Sequence, residues 1–143
     1  MKAITIRQPW ALLIALKAKK FETRSWQTKY RGPIAIHASK TIDYEACSYP
    51  EIQEILFKNG FYTTSLIPTG CVIATAVLTD CYKVTKDKST TAETTGDIIN
   101  EQEYPFGDYT EGRFAWKLDQ VQLMTKPIPA KGKLSLWEWE QHD

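Results

Sequence analysis

One carboxylate stands among the cations of residues 17–40, KAKKFETRSWQTKYRGPIAIHASK: Glu22, two positions before Arg24 and three after Lys19. If Phe21 to Trp26 is extended, Glu22, Arg24 and Trp26 project to one side, with Phe21, Thr23 and Ser25 on the other. Two kinds of chemistry suit Lys19, Glu22 and Arg24. A lysine lowered by burial and neighbouring cations, beside a carboxylate, can move a proton or activate water. A lysine and an arginine can instead hold phosphate while the carboxylate accepts from a base amino group. The same spacing is equally that of a structural ion pair with solvated lysines around it.

The aromatic residues favour binding. Trp26 and Tyr30 flank the basic run, and Tyr109 and Trp116 flank Arg113 in a glycine-rich turn. Cations interleaved with aromatic planes suit the stacking of unpaired bases, at roughly 1–3 kcal/mol per base. Buried tryptophans also simply fill cores, and Trp116, Trp137 and Trp139 are open to that reading. Other site chemistry finds little support. His142 lies in the C-terminal tail, and His37 sits inside an apolar strand, where a core role is the commoner one. No nucleophile elbow, phosphate-cradling glycine loop or metal-ligand spacing occurs. No cofactor is implied.

Charge is divided along the chain. Residues 1–40 hold six Lys and three Arg against one Glu, +8, and the remainder comes to −7, for a net +1 over 143 residues. Clustered positive potential steers polyanions, although basic and acidic faces can also match within one molecule. Cys47, Cys71 and Cys81 are odd in number and without paired spacing, which argues against a disulfide framework and fits a reducing cytoplasm. No secretory signal is visible at the N-terminus and no run approaches a membrane span of ~20 apolar residues.

The elements that must position these groups follow from periodicity. Ala3–Ile6 alternates as a strand, and Pro9 opens an expected amphipathic helix to about Ala18, with Trp10, Leu13 and Ile14 on one face. That leaves Arg7 and Gln8 at the turn, able to reach a ligand. Residues 34–38 read as a buried strand. Ser39–Thr41 would cap a helix over 42–58, broken at Pro50. Cys71–Leu78 is the most apolar strand, expected to be central. Residues 85–102 lose apolar period and read as a long surface loop with a short helix near Ile98 and Ile99. Phe114–Leu118 and Val121–Leu123 alternate as strand, Lys126–Pro129 reads as an extended connector, and Leu134–Glu138 closes the chain. Short strands with two helical segments suggest one small mixed domain spanning 1–143.

The motifs taken together resemble the ASCH (activating signal cointegrator homology) domain of the PUA-like superfamily, in its coactivator-type branch found also in bacteria and phages. The resemblance rests on Ile6-Arg7-Gln8-Pro9-Trp10, Glu22-Thr23-Arg24-Ser25-Trp26, Tyr30-Arg31-Gly32-Pro33, Ile36-His37-Ala38-Ser39-Lys40 and Pro68-Thr69-Gly70. It continues through Phe106-Gly107-Asp108-Tyr109, Gly112-Arg113-Phe114-Ala115-Trp116, Gly132 and Leu136-Trp137-Glu138, nearly the whole chain. The family motif GxKxxExR falls on Lys17, Lys19, Glu22 and Arg24, with Lys17 in place of the glycine, a substitution that suits a helical residue.

The resemblance implies an α+β, mainly β fold: a PUA-like barrel of five to six strands with flanking helices and a basic cleft beside it. It implies recognition of RNA or another single-stranded nucleic acid or nucleoside. The residues it points to are Arg7, Gln8, Lys19, Glu22, Arg24, Ser25, Trp26, Arg31, His37, Ser39, Lys40, Tyr109 and Arg113. An alternative it carries is a hydrolase in the same cleft, a ribonuclease or an N4-acetylcytidine amidohydrolase, with Lys19, Glu22 and Arg24 catalytic. Members that hydrolyse acetylated cytidine use a threonine nucleophile where this chain has Glu22, and Thr23 lies beside it on the opposite strand face. A protein partner docking on the acidic 85–111 region is a third reading. Oligomeric state is left open.

Overall fold

A computed structural model describes residues 1–141, so His142 lies outside the described residues. The chain is mainly β with a few short helices. Its strands are β1 (Lys2–Gln8), β2 (Phe21–Arg24), β3 (Gly32–Ile42), β4 (Cys71–Asp87), β5 (Ala92–Thr94), β6 (Phe114–Pro129) and β7 (Leu136–Glu138). Hydrogen bonding runs in the order β2-β6-β4-β3-β1-β7, with β5 on β4. This order is open, with seven strands among the described residues where a barrel of five to six was expected. Three helices accompany them: α1 (Trp10–Ala15), α2 (Tyr44–Cys47) and α3 (Pro50–Lys58). No helix is long and apolar enough to cross a membrane among the described residues.

Two compact units divide the chain. The first comprises Met1–Ala18, Pro33–Ala76 and the chain from Val121 onward. Its centre is β1, parallel to β3 from Lys2↔Ile34 to Ile6↔Ala38 and antiparallel to β7 at Ala3↔Trp137. Flanked on both sides, β1 and β3 carry the small and branched residues that such packing demands; Ala3, Ile4, Ile34, Ala35, Ile36 and Ala38 are all buried.

Helix α1 is shorter than its apolar spacing suggests. Every residue from Ala11 to Ala15 is buried, so it is a core helix and not an amphipathic one. It ends in a Schellman motif: Ala18 N–H donates to Leu13 O and Lys17 N–H to Ile14 O, both at 2.9 Å. Lys17 therefore sits at φ 65° in the left-handed region, not in the helical conformation expected of it. The next helix also starts later than expected. β3 runs on through Ser39–Thr41 to Ile42, and the α2 cap is Asp43, whose carboxylate accepts from Ala46 N–H at 3.0 Å.

The second unit comprises Lys19–Gly32 and Val77–Gln120. Here β2 pairs antiparallel with the start of β6, Glu22 opposite Trp116 and Arg24 opposite Phe114. The expected 85–102 loop is partly strand. β4 continues to Asp87 and turns back into β5, and Ala92 bridges Ile99, both fully buried. The short helical turn comes later, a 3-10 turn at Tyr104–Phe106, because Ile99 is taken up by a core of Phe21, Val84, Ala92, Tyr109 and Ala115. β6 likewise runs unbroken through the expected connector to Pro129; Pro127 and Pro129 are exposed, as strand prolines must be where no ladder N–H is required.

Candidate functional site

Within the second unit, β2 places its side chains as the alternation requires. Glu22 and Arg24 share a face, and both Nε and Nη2 of Arg24 lie 3.0 Å from the same oxygen, Glu22 Oε2. The other oxygen, Oε1, faces Lys19 Nζ at 3.9 Å. Lys19 is 1% exposed, and its ammonium donates a hydrogen bond to the carbonyl oxygen of Phe106. A buried ammonium needs such partners because desolvation strongly disfavours the charge. Burial pushes the Lys19 pKa below its usual range; Glu22, then Glu103, oppose the shift and Arg24 adds to it.

Glu103 completes this cluster. It is 6% exposed, and its carboxylate accepts the backbone N–H of Lys20 at 3.0 Å and that of Phe21 at 3.3 Å. Burial raises its pKa, against the pull of Lys19 and of those two N–H groups. Sequence reasoning missed this residue. Only its position three residues before Phe106-Gly107 sets it apart from the other acids of an acidic stretch.

Tyr109 is buried at the same place, with its ring stacked on Tyr104 at a centroid distance of 5.7 Å. Burial, then the charges of Glu103 and Glu22, drives its phenol far above the usual value. Its hydroxyl is buried without a hydrogen-bond partner. At 2% exposure Tyr109 presents no face to a base, which corrects the stacking role read from sequence. Trp26 is half-buried beyond the end of β2, edge-on to Trp116 at 4.8 Å, and its carbonyl accepts from the Trp116 indole. Arg113 donates to Thr23 O and to Asp108 O. Thr23 faces away from Glu22, and its hydroxyl accepts from Asp108 N–H at 3.1 Å, which ties it to the turn that follows Phe106. Ser25 and Arg31 are exposed, and Arg31 donates to the carbonyls of Thr28 and Tyr30.

The remaining sequence-derived site residues lie in the first unit. Arg7 is exposed. Gln8 is fully buried; its Oε1 accepts from Leu12 N–H at 2.9 Å and its Nε2 donates to Pro68 O at 2.8 Å, so it fastens α1 instead of reaching a ligand. His37 is 2% exposed, with Nε2 2.7 Å from Ala130 O and its ring edge-on to Trp137. This makes it a core histidine, with no surface for direct ligand contact. Ser39 is half-buried and exchanges hydrogen bonds with the backbone of Thr41; Lys40 is exposed. Among the described residues no group of His, Cys, Asp and Glu is arranged to hold a metal.

A mainly β chain with a lysine buried between two carboxylates and an arginine at its surface is thus the class of protein that fold and site define. A family model described as the ASCH domain matches residues 4–128, and the chain belongs to that family. It is similar to activating signal cointegrator 1 of Homo sapiens, 28% identical over 137 residues, which is 94% of this chain and 22% of that protein. The same protein of Mus musculus is 25% identical over the same shares. The chain thus spans about a fifth of the length of these curated relatives. The crystal structure of ASCH from Zymomonas mobilis matches with a TM-score of 0.55 and 14% identity, covering 98% of this chain and 87% of that one, a likeness of fold.

Proposed function

We propose that this ASCH domain is a cytoplasmic module of 1–143 with a PUA-like fold, binding RNA or another single-stranded nucleic acid through the β2 face. The observation that carries this reading is the gradient of exposure along that face. The side chains are 1% exposed at Lys19, 11% at Glu22 and 24% at Arg24. A buried ammonium fixes the carboxylate, the carboxylate fixes the guanidinium, and the guanidinium meets solvent. Lys19 therefore acts from behind and Arg24 and Arg31 take phosphate. Glu22 accepts from a base edge, and half-buried Trp26 offers the stacking surface.

Fluorescence anisotropy with a labelled single-stranded RNA tests this. Arg24→Ala with Arg31→Ala should weaken binding and reduce the dependence of affinity on salt by about 0.7 per lost phosphate contact. Unchanged affinity with an unchanged salt slope would sink the placement.

The buried cluster also supports a second reading, hydrolysis of RNA or of a modified nucleoside such as N4-acetylcytidine. Lys19 pushed down and Glu103 pushed up by burial are the opposed shifts that acid–base pairs show. In that case Glu22→Gln abolishes turnover while ligand binding survives. Absence of product from both substrate types with the unaltered protein would end this second reading.

A further inference from the structure

The first unit holds a groove of about 1020 Å³ whose rim carries Lys40, Lys131 and Lys133, with Ser39 beside them and Leu134 at the edge. No carboxylate lines this groove, and none of the three lysines is in a salt bridge among the described residues. Lys131 and Lys133 also border an adjoining hollow with Glu138 and Glu140, but the lining of the groove itself carries positive charge alone.

The groove is also built, not merely outlined. Gly70 N–H donates to Ala38 O at 2.8 Å, and Ala130 N–H donates to Gly70 O at 3.1 Å. His37 Nε2 lies 2.7 Å from Ala130 O, pinning the strand end before Lys131 from below. Gly132 lies so close to the floor that an added Cβ would stand 2.8 Å from His37 Cε1 and 2.9 Å from Thr5 Oγ1. The Lys131-Gly132-Lys133 segment is thereby pressed onto β1 and β3. On the rim, the stem of Lys40 packs at Gly70 and Lys133 Nζ lies 6.0 Å from the Trp137 ring. Leu134 is 93% exposed beside these cations, an apolar shelf where a hydrated loop would ordinarily place a polar residue.

We infer that this groove is a second nucleic-acid site, taking successive phosphodiesters of a single strand on Lys40, Lys131 and Lys133 and an unstacked base or sugar on Leu134. The inference rests on the nucleic-acid reading above but uses different residues. Neither Lys131, Lys133 nor Leu134 is called for by the β2 face. A single strand suits the groove better than a duplex because Leu134 needs an unpaired base face to cover it. A flat anionic surface would meet the lysines but leave the concavity unfilled.

The experiment is anisotropy with labelled oligouridylate across a KCl series, on the whole chain. Lys40→Ala/Lys131→Ala/Lys133→Ala should weaken binding about tenfold or more and lower the salt slope by about two, the loss of three phosphate contacts on a single strand. Leu134→Ala should weaken binding several-fold with the slope unchanged. Failure of the unaltered protein to bind would overturn both this inference and the proposed function. Binding that is weakened by Arg24→Ala/Arg31→Ala but not by the triple lysine variant would overturn this inference alone. Binding to phosphatidylserine vesicles that needs the three lysines, without a lysine effect on oligouridylate, would reassign the groove to a lipid surface and also overturn it. Far-ultraviolet circular dichroism of each variant should match the unaltered protein, because all four substituted side chains are exposed.

Discussion

Glu103 and Lys20, separated by 83 positions, are joined by the backbone: both carboxylate oxygens of Glu103 accept the Lys20 N–H at 3.0 Å. The same carboxylate takes the Phe21 N–H and supplies one of the two charges that hold the Lys19 ammonium up. One side chain thus satisfies the entrance to β2 and neutralises the lysine behind it. Glu103→Ala is expected to cost about 3 kcal/mol, because it leaves one buried and one part-buried N–H group and a buried cation short of partners. Glu103→Gln keeps an acceptor and should cost less, about 1–2 kcal/mol. Urea denaturation gives both values. A loss under 1 kcal/mol in the alanine variant would mean that water replaces the carboxylate and that Glu103 does not organise the site.

Lys17 gives a prediction of opposite sign. It occupies the position of the family motif's glycine and stands at φ 65° as the residue that closes α1. Left-handed backbone costs an ordinary residue about 1–2 kcal/mol, and glycine adopts it freely but loses more entropy on folding. Lys17→Gly should therefore stabilise the protein by about 0.5–1 kcal/mol, while Lys17→Ala, which keeps the strain on an exposed position, should change it by less than about 0.5 kcal/mol. Equal midpoints for the glycine and alanine variants in urea would show that the backbone does not hold this conformation in solution.

The same residue marks where the sequence stopped being legible. Period-two alternation put Glu22 and Arg24 on one strand face, and β2 keeps them there because its partner β6 alternates in register. The ASCH motifs carried the family and the mainly β class. What escaped were features set by tertiary context. Gln8 looks like a ligand residue at a strand end, yet its amide is consumed at both ends in fixing α1. The Thr-rich stretch after Val84 lacks apolar period because β4 and β5 form a short hairpin, and between 85 and 102 only Ala92 and, beyond the hairpin, Ile99 reach full burial. Lys17 read as helical because nothing local distinguishes the last helical turn from the residue that ends it. Glu103 had no local signature beyond its place just before Phe106-Gly107; its role exists only through main-chain groups far away in sequence.

Tyr109 connects stability to pH. Its hydroxyl is buried without a hydrogen-bond partner, and its folded pKa is raised well above the value of 10.0 expected in the unfolded chain. A raised folded pKa gives stability that is complete below the unfolded value and is lost as pH rises beyond it, because only the unfolded phenol then ionises. The slope approaches about 1.4 kcal/mol per pH unit. Tyr109→Phe should remove this tyrosine's part of the decline above pH ~10. At neutral pH the variant should be as stable as the parent, or up to about 1 kcal/mol more so, since it deletes an unpaired buried donor. Urea midpoints at pH 7, 9.5 and 11 test both statements; parallel alkaline declines in the two proteins would refute the buried, unpaired phenol.

Gly132 separates packing from backbone conformation as the reason for a glycine. Its φ is not in the left-handed range, so alanine meets no backbone strain there. What alanine meets is Cε1 of buried His37 at 2.8 Å and Oγ1 of half-buried Thr5 at 2.9 Å, both in the first unit. Overpacking of this kind costs about 1–3 kcal/mol when neighbours must shift. His37→Ala vacates most of that space, so Gly132→Ala should cost at least about 1 kcal/mol less in the His37→Ala background than in the parent, a coupling expected only for side chains in contact. Gly112 supplies the contrast: at φ 91° with nothing within 4 Å of an added Cβ, its alanine variant should lose stability by backbone strain alone and show no coupling to His37. Additive losses for Gly132→Ala and His37→Ala would mean that the Lys131-Gly132-Lys133 segment does not rest on the histidine, and the rigid rim required of the basic groove would lose its support.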